Sequence, residues 1–316
     1  MTPAPTSSEL PDRGALHVYS PSGVVAQGAV LKRAVKRLTQ AGYRVTVDQA
    51  ALARHQRFAG DDDTRLAALH RVATAAPHVA LASRGGYGLT RLLDRIDWAL
   101  IARAVERGTH WVGHSDQTAL QAGLLAHIGN SPSAVTWHGP LACGDFGVSD
   151  AEGGLDEVTP DCFHEAVSGE LEAIGFRVPA GHDGLAVSGR LWGGNLCVLT
   201  SLLGTPHWPK VRGGILFLED VNEHPYRVER MLLQLHQAGV LGAQKAVLLG
   251  DFSGWKKSPL DRGYNLKAMV EHLRGVCPVP VLTGLPIGHG RTKVTLPSGL
   301  KADLIVQGRD ALVAWG

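Results

Sequence analysis

Short apolar runs alternate with amphipathic stretches through the N-terminal half of the chain. This alternation constrains the fold more than any other feature. Leu16-His17-Val18-Tyr19 reads as a strand that ends in the turn Ser20-Pro21-Ser22-Gly23. The next segment carries Val30, Leu31, Ala34, Val35 and Leu38 on one helical stripe, with Lys32, Arg33, Lys36 and Arg37 facing water. Ala41-Gly42 stops that helix. Residues 44–47, 79–82 and 110–112 read as further strands, the last two followed by Gly-containing turns. Strand–helix–strand units of this kind imply a parallel sheet with right-handed crossovers. Ligands of such sheets sit beyond the carboxyl ends of the strands. Two loops fall there: Ser83-Arg84-Gly85-Gly86-Tyr87-Gly88 and the turn around Ser115.

The C-terminal half has a different character. Residues 144–180 are mixed and show little periodicity, as a connection would. Beyond them come short β-like runs at 185–191, 215–218, 246–249, 279–282 and 301–306, punctuated by Gly and Pro. One helix stands out, with Pro225 in its first turn and Val228, Met231, Leu232 and Leu235 on one face. The expected organisation is α/β: a flexible tail at 1–14, then a domain at 15–150 built on a doubly wound, flavodoxin-like parallel sheet. A connection at 151–180 leads to a smaller β-rich, barrel-like domain at 181–316.

Composition narrows the function classes. With 316 residues, 44% of them hydrophobic and 19% charged, the chain can bury a substantial core. A net charge of +2 and the lack of any Lys/Arg run argue against a nucleic-acid partner. The four cysteines, Cys143, Cys162, Cys197 and Cys277, form no C-x-x-C pair and fit reduced thiols. No basic stretch followed by an apolar one opens the chain, and no run reaches the ~20 apolar residues that span a bilayer. The expectation is a soluble cytoplasmic protein without a membrane partner.

Three segments carry candidate chemistry. Ser115 lies in Trp111-Val112-Gly113-His114-Ser115-Asp116-Gln117-Thr118, between an apolar run and a helix-like one. A serine on a tight strand-to-helix turn is exposed, and the next amide points at the space before it. Gln117 stands where a G-x-S-x-G elbow has its second glycine, and a serine here also suits a plain helix cap. Leu216-Phe217-Leu218-Glu219-Asp220 ends an apolar strand on carboxylates, which burial requires to be paired. Gly288-His289-Gly290 sets a histidine between glycines just after a strand. The order serine, acid, histidine is that of several unrelated hydrolases. Glu219 and Asp220 equally fit an exposed loop start, and His289 is one of 15 histidines. The Arg84–Gly88 loop lacks phosphate-cradle spacing and suits an oxyanion hole or a tight turn. No H-E-x-x-H or comparable spacing suggests a metal.

Taken together, several blocks resemble the murein tetrapeptide LD-carboxypeptidases. They are Arg84-Gly85-Gly86-Tyr87-Gly88, Gly113-His114-Ser115-Asp116, Trp192-Gly193-Gly194-Asn195-Leu196, the Leu218–Pro225 segment and Gly288-His289. Shorter matches are Arg57-Phe58-Ala59-Gly60, Leu203-Gly204-Thr205-Pro206 and Thr295-Leu296-Pro297. The resemblance implies a cytoplasmic serine peptidase with Ser115 as nucleophile, Glu219 as orienting acid and His289 as base. It implies an oxyanion hole from the amides of Asp116 and Gly86 (or Gly85). Arg84, Gly85, Trp192 and Asn195 become candidate substrate contacts. The implied reaction removes the terminal D-alanine from recycled cell-wall tetrapeptide, with no metal or other cofactor and commonly as a homodimer. Two rivals remain at this stage: an immunity-type relative that cleaves a peptidyl-nucleotide antibiotic, and a non-catalytic muropeptide-binding protein.

Overall fold

The computed structural model describes residues 11–316, so most of the expected tail at 1–14 lies outside the described residues. In chain order the elements are β1 (Ala15–Tyr19), α1 (Gly28–Gln40), β2 (Arg44–Val47), α2 (Asp62–Ala75), β3 (Val79–Ala82), α3 (Trp98–Glu106), β4 (His110–Gly113), α4 (Thr118–Ile128) and β5 (Thr136–His138). They continue with α5 (Val158–Ser168), β6 (Ala173–Arg177), β7 (Ala186–Asn195), α6 (Leu196–Ser201), β8 (Ile215–Val221), α7 (Pro225–Gln237), β9 (Ala246–Ser253) and α8 (Leu266–Val276). Four strands close the chain: β10 (Val281–Thr283), β11 (Leu296–Ser298), β12 (Lys301–Gln307) and β13 (Asp310–Ala314).

The first sheet has the order β2-β1-β3-β4-β5-β11. Its first five strands are parallel and β11 pairs antiparallel with β5. Strand β3 is buried along its whole length, as an interior parallel strand must be. Alternation sends Leu16, Val18 and Leu81 to one side, where Leu31, Ala34 and Leu38 of α1 cover them. Tyr19, Ala80, Ala82 and Trp111 face the other side, against α2, α3 and α4. The start of α2 is fixed by Asp61, whose side chain accepts from Thr64 N, and by Asp62 and Asp63 in its first turn.

The second sheet has the order β10-β9-β8-β7-β12-β13-β6. Strands β7 to β10 are parallel, while β12, β13 and β6 continue antiparallel. The sheet is open, with β10 and β6 at its edges, so the expected barrel is corrected to a mixed sheet without closure. The cause is the crossovers. Parallel neighbours need long connections, here carried by α6, α7 and α8, where an antiparallel barrel would use short hairpins, and β10 and β6 do not pair to close the sheet. Only α7 was legible as a helix. The segment at 151–180 is also more than a connection: α5 buries Phe163, Ala166 and Val167, and β6 is an edge strand.

The two sheets share their packing. One apolar cluster runs from Leu16 and Val112 to Phe217 and Leu304, and the other from Trp111 and Leu120 to Leu218 and Leu249. Strand β11, late in the sequence, completes the edge of the first sheet. These contacts bring the carboxyl ends of β4 and β8 to one place. Among the described residues, no helix is long and apolar enough to cross a membrane.

Candidate active site

Strand β4 ends at Gly113, and a single 3-10 turn at Ser115–Gln117 leads into α4. Ser115 has φ +62°, in the left-handed region. For a residue with a Cβ this costs of order 1 kcal/mol or more, so the surroundings must enforce it. They do so by hydrogen bonds. Gln121 Nε2 donates to the carbonyls of Gly113 (2.9 Å) and Trp137 (3.0 Å). Gln117 Nε2 donates to the Tyr19 hydroxyl at 2.6 Å. The buried Asp116 carboxylate accepts from Ser22 Oγ at 2.6 Å and from Leu89 N at 2.8 Å. Burial pushes the Asp116 proton affinity up, against the two hydrogen bonds and the nearby charge of Arg65. Asp116 thereby ties together the loops that follow β1, β3 and β4.

The glycine loop after β3 lies against the serine. Gly23 N donates to the Gly85 carbonyl at 3.1 Å. In a planar trans peptide the Gly86 N–H then points away from Gly23. A Cβ on Gly85 would sit 2.6 Å from both Cβ and Oγ of Ser115 and 3.4 Å from Asp116 N. Only glycine fits so close an approach. Arg84 Nη1 donates to the Val24 carbonyl at 2.8 Å, which locks the loop. Arg65, fully buried, donates to the carbonyls of Pro21 (2.9 Å) and Gly88 (2.8 Å) and pairs with Asp62.

Glu219 lies near the end of β8 and is fully buried. Its Oε2 accepts from Nδ1 of His289 at 2.8 Å. His289 sits in the loop between β10 and β11, after Gly288, whose φ is +117°. A Cβ on Gly288 would lie 3.1 Å from the Glu219 Cβ, the Glu219 Oε2 and the Asp251 Cβ. A bulge prepares the approach: Leu218 opposes Leu249 but Asp220 opposes Phe252, leaving β9 one residue longer. Asp251 N, in the bulge, donates to the Ile287 carbonyl at 2.9 Å. With Nδ1–H committed to the carboxylate, Nε2 of His289 is left to act as a base. Burial works against the charged ring, but the hydrogen bond and charge of Glu219, aided by Asp220, outweigh it. His289 therefore holds its proton above the ordinary histidine value of 6.5.

Ser115 and His289 line one cavity of about 750 Å³, together with Arg84, Gly85, Gly86 and His114. Among the described residues no hydrogen bond joins Ser115 Oγ to His289. In resting enzymes such contacts are often long and tighten only with substrate. His114 donates from Nδ1 to the Gly139 carbonyl at 2.8 Å, and burial pushes its ring down to about 3, so it stays neutral. Lys293, also on the cavity wall, forms a buried pair with Asp145. Ser115 and Asp116 border a second cavity of about 910 Å³, lined by Tyr87, Asn195, Asp220 and Glu223.

The structure thus brings Ser115, Asp116, Gly85, Gly86, Arg84, Glu219 and His289 together. Asn195 borders the second cavity, where its Nδ2 donates to Asp220 Oδ1 at 3.0 Å and its Oδ1 caps α6. Trp192 differs from the expectation. It is 1% exposed, packs on Trp208 and donates to Gln244 Oε1 at 3.0 Å, so it belongs to the core and lines neither cavity. Sequence reasoning missed Arg65, the Asp116 carboxylate and the Lys293–Asp145 pair. None has a spacing signal, since Lys293 and Asp145 stand 148 positions apart. Among the described residues no group of three His, Cys, Asp or Glu side chains could hold a metal ion.

Comparisons with known proteins place the chain in a family. Residues 16–139 match the LD-carboxypeptidase N-terminal domain and residues 188–304 the LD-carboxypeptidase C-terminal domain. A probable murein peptide carboxypeptidase of Bacillus subtilis is 32% identical over 90% of this chain and 87% of its own length. The crystal structure of muramoyltetrapeptide carboxypeptidase from Oxalobacter formigenes is 40% identical and superposes with a TM-score of 0.85, covering 96% of this chain and 98% of that one. The microcin C7 self-immunity protein MccF of Escherichia coli is 27% identical over 69% of this chain and 68% of its own.

Proposed function

The chain belongs to the LD-carboxypeptidase family of serine carboxypeptidases, and from that premise we propose that it hydrolyses the L,D bond of murein tetrapeptides and releases the terminal D-alanine. Ser115 Oγ attacks the carbonyl carbon of the penultimate residue as its proton passes to Nε2 of His289. Glu219 keeps the ring in the Nδ1–H tautomer and stabilises the imidazolium. The amides of Gly86 and Asp116 hold the oxyanion, a contribution of typically ~10²–10³ per donor in turnover. His289 then returns the proton to the leaving amine, and D-alanine departs. Water, activated by the same ring, hydrolyses the acyl-enzyme.

The observation that carries this reading is the 2.8 Å bond between His289 and Glu219 on the wall of the cavity that Ser115 enters. Further support comes from the left-handed φ of Ser115 and the approach of Gly85 to its hydroxyl. Arg84, on the same wall, is our candidate for the terminal carboxylate. The names of the curated relative and of the solved structure support a murein peptide substrate. Cytoplasmic location and a homodimer are parts of the same proposal. We also assign the nucleophile to an N-terminal domain at 15–150 and the acid and base to a C-terminal one at 181–316.

Incubation with purified anhydro-muropeptide tetrapeptide, followed by mass spectrometry, tests the proposal. Loss of one alanine by wild type and none by a folded Ser115→Ala variant is expected. Wild-type turnover by that variant overturns the reading. The likeness to MccF favours a second reading, hydrolysis of a peptidyl-nucleotide antibiotic, for which Tyr87, 42% exposed at the second cavity, offers a stacking face. Cleavage of such a conjugate in preference to tetrapeptide would select it. A non-catalytic muropeptide-binding protein would release alanine from neither.

A further inference from the structure

Behind the Glu219–His289 pair lies a buried histidine that the mechanism above does not use. His138 ends β5, is 1% exposed, and among the described residues neither of its ring nitrogens has a hydrogen-bond partner. Glu219 bonds His289 through Oε2, and its Oε1 is buried and has no partner among the described residues.

Three observations place these groups together. The His138 ring meets Phe217 at 5.3 Å between centroids. Phe217 and Glu219 stand two apart on β8, so both side chains leave the sheet on the same face. The His138 ring also lies 6.0 Å from His114, which in turn lies 4.9 Å from His289. Glu219 is the leading charge acting on the His138 ring. Burial pushes that ring down to about 3, so it is neutral and carries one N–H and one acceptor. A buried carboxylate oxygen and a buried imidazole are each costly to leave unpaired. A water needs two to four polar partners to occupy such a site, and the His138 ring nitrogens and Glu219 Oε1 offer them.

We propose that His138 is a positioning residue for Glu219, its ring N–H reaching the free Oε1 through one buried water. The carboxylate is then held at both oxygens, by His289 on the cavity side and by His138 from behind. Rotation of Glu219 about its terminal bond, which would break the bond to His289, is blocked. The proposal rests on Glu219 orienting His289, as in the function proposed above.

The test uses the full-length enzyme. In ¹⁵N-histidine NMR, His138 is expected to give an N–H signal protected from solvent exchange that moves in Glu219→Gln. A freely exchanging His138 N–H, or one indifferent to Glu219→Gln, overturns the proposal. In kinetics, His138→Phe keeps the volume and loses the donor. It should lower kcat by about 10-fold to 100-fold, as loss of a supporting partner behind a functional histidine typically does, with KM within about twofold. His138→Gln, which keeps an N–H donor, should recover most of the loss. Wild-type kcat in His138→Phe, or equal losses in both variants, also overturns it. Should His138→Phe fail to fold, the NMR measurement on wild type still decides. Retained turnover in Ser115→Ala would instead defeat the proposed function, so the two failures are distinguishable.

Discussion

The two walls of the cavity are held by different means. The Ser115 wall is a backbone turn, locked by Gln117, Gln121 and the Asp116 carboxylate, with hydrogen bonds spread over three neighbouring loops. On the opposite wall the acid and the base are joined by one side-chain bond, between Glu219 and His289, residues 70 positions apart. A turn enforced by many bonds keeps its shape when one contact is lost. A single bond has no such redundancy. Removing the bond on the His289 wall should therefore change chemistry more than stability, and removing one bond on the Ser115 wall should change stability more than chemistry.

The largest effect expected on the His289 wall is that of Glu219→Gln. Loss of the orienting carboxylate should cut kcat by about 10³–10⁴, by analogy with other serine triads. Melting temperature should move far less. The same variant tests the pH dependence. His289 is raised above 6.5 because Glu219 outweighs burial, so wild-type kcat/KM should fall as pH drops through a value above 6.5. With the carboxylate gone, burial dominates and this acidic limb should move to lower pH. The linkage has a definite sign. A histidine raised in the folded state contributes stability that is complete below its unfolded value and lost as pH rises through its folded value. A limb that stays in place in Glu219→Gln contradicts the assignment.

Gly85→Ala comes next. Its Cβ would meet Ser115 Oγ at 2.6 Å, so hydroxyl or loop must shift. Misplacement on that scale costs about 100-fold in turnover. Steady-state kinetics with tetrapeptide checks it, and a wild-type rate would mean that the loop is free to move. The smallest loss of turnover among these is expected for Asp116→Ala. It leaves Ser22 Oγ and Leu89 N without their acceptor and should cost about 1–3 kcal/mol of stability. Denaturant unfolding reads this loss directly. Unchanged stability would remove the contrast between the two walls.

The same contrast explains what was legible in the sequence. Strands β1 to β4 and helix α1 were legible because local periodicity and turn residues specify them. Ser115 stood out because its turn is a local event between a strand and a helix. Glu219 and His289 could be named, but their meeting depends on the bulge in β9 and on packing across two sheets, which no spacing records. The open second sheet was missed because α6, at six residues, carries almost no periodic signal. Helix α8 carries a stripe of Leu266, Met269, Val270 and Leu273 that was legible in principle and was passed over. Trp192 matched a motif, yet whether a tryptophan packs or binds is settled by the tertiary neighbours, here Trp208 and Gln244.

The central claim is that the two walls act as one catalytic unit, and the rate of Ser115 phosphonylation by a small fluorophosphonate measures it directly. The reagent needs an activated hydroxyl but no substrate recognition. Mass spectrometry should find the adduct on Ser115, formed at a rate that falls below the raised ionisation of His289 and collapses in His289→Ala. An adduct elsewhere, or a Ser115 rate untouched by His289→Ala, would contradict the account.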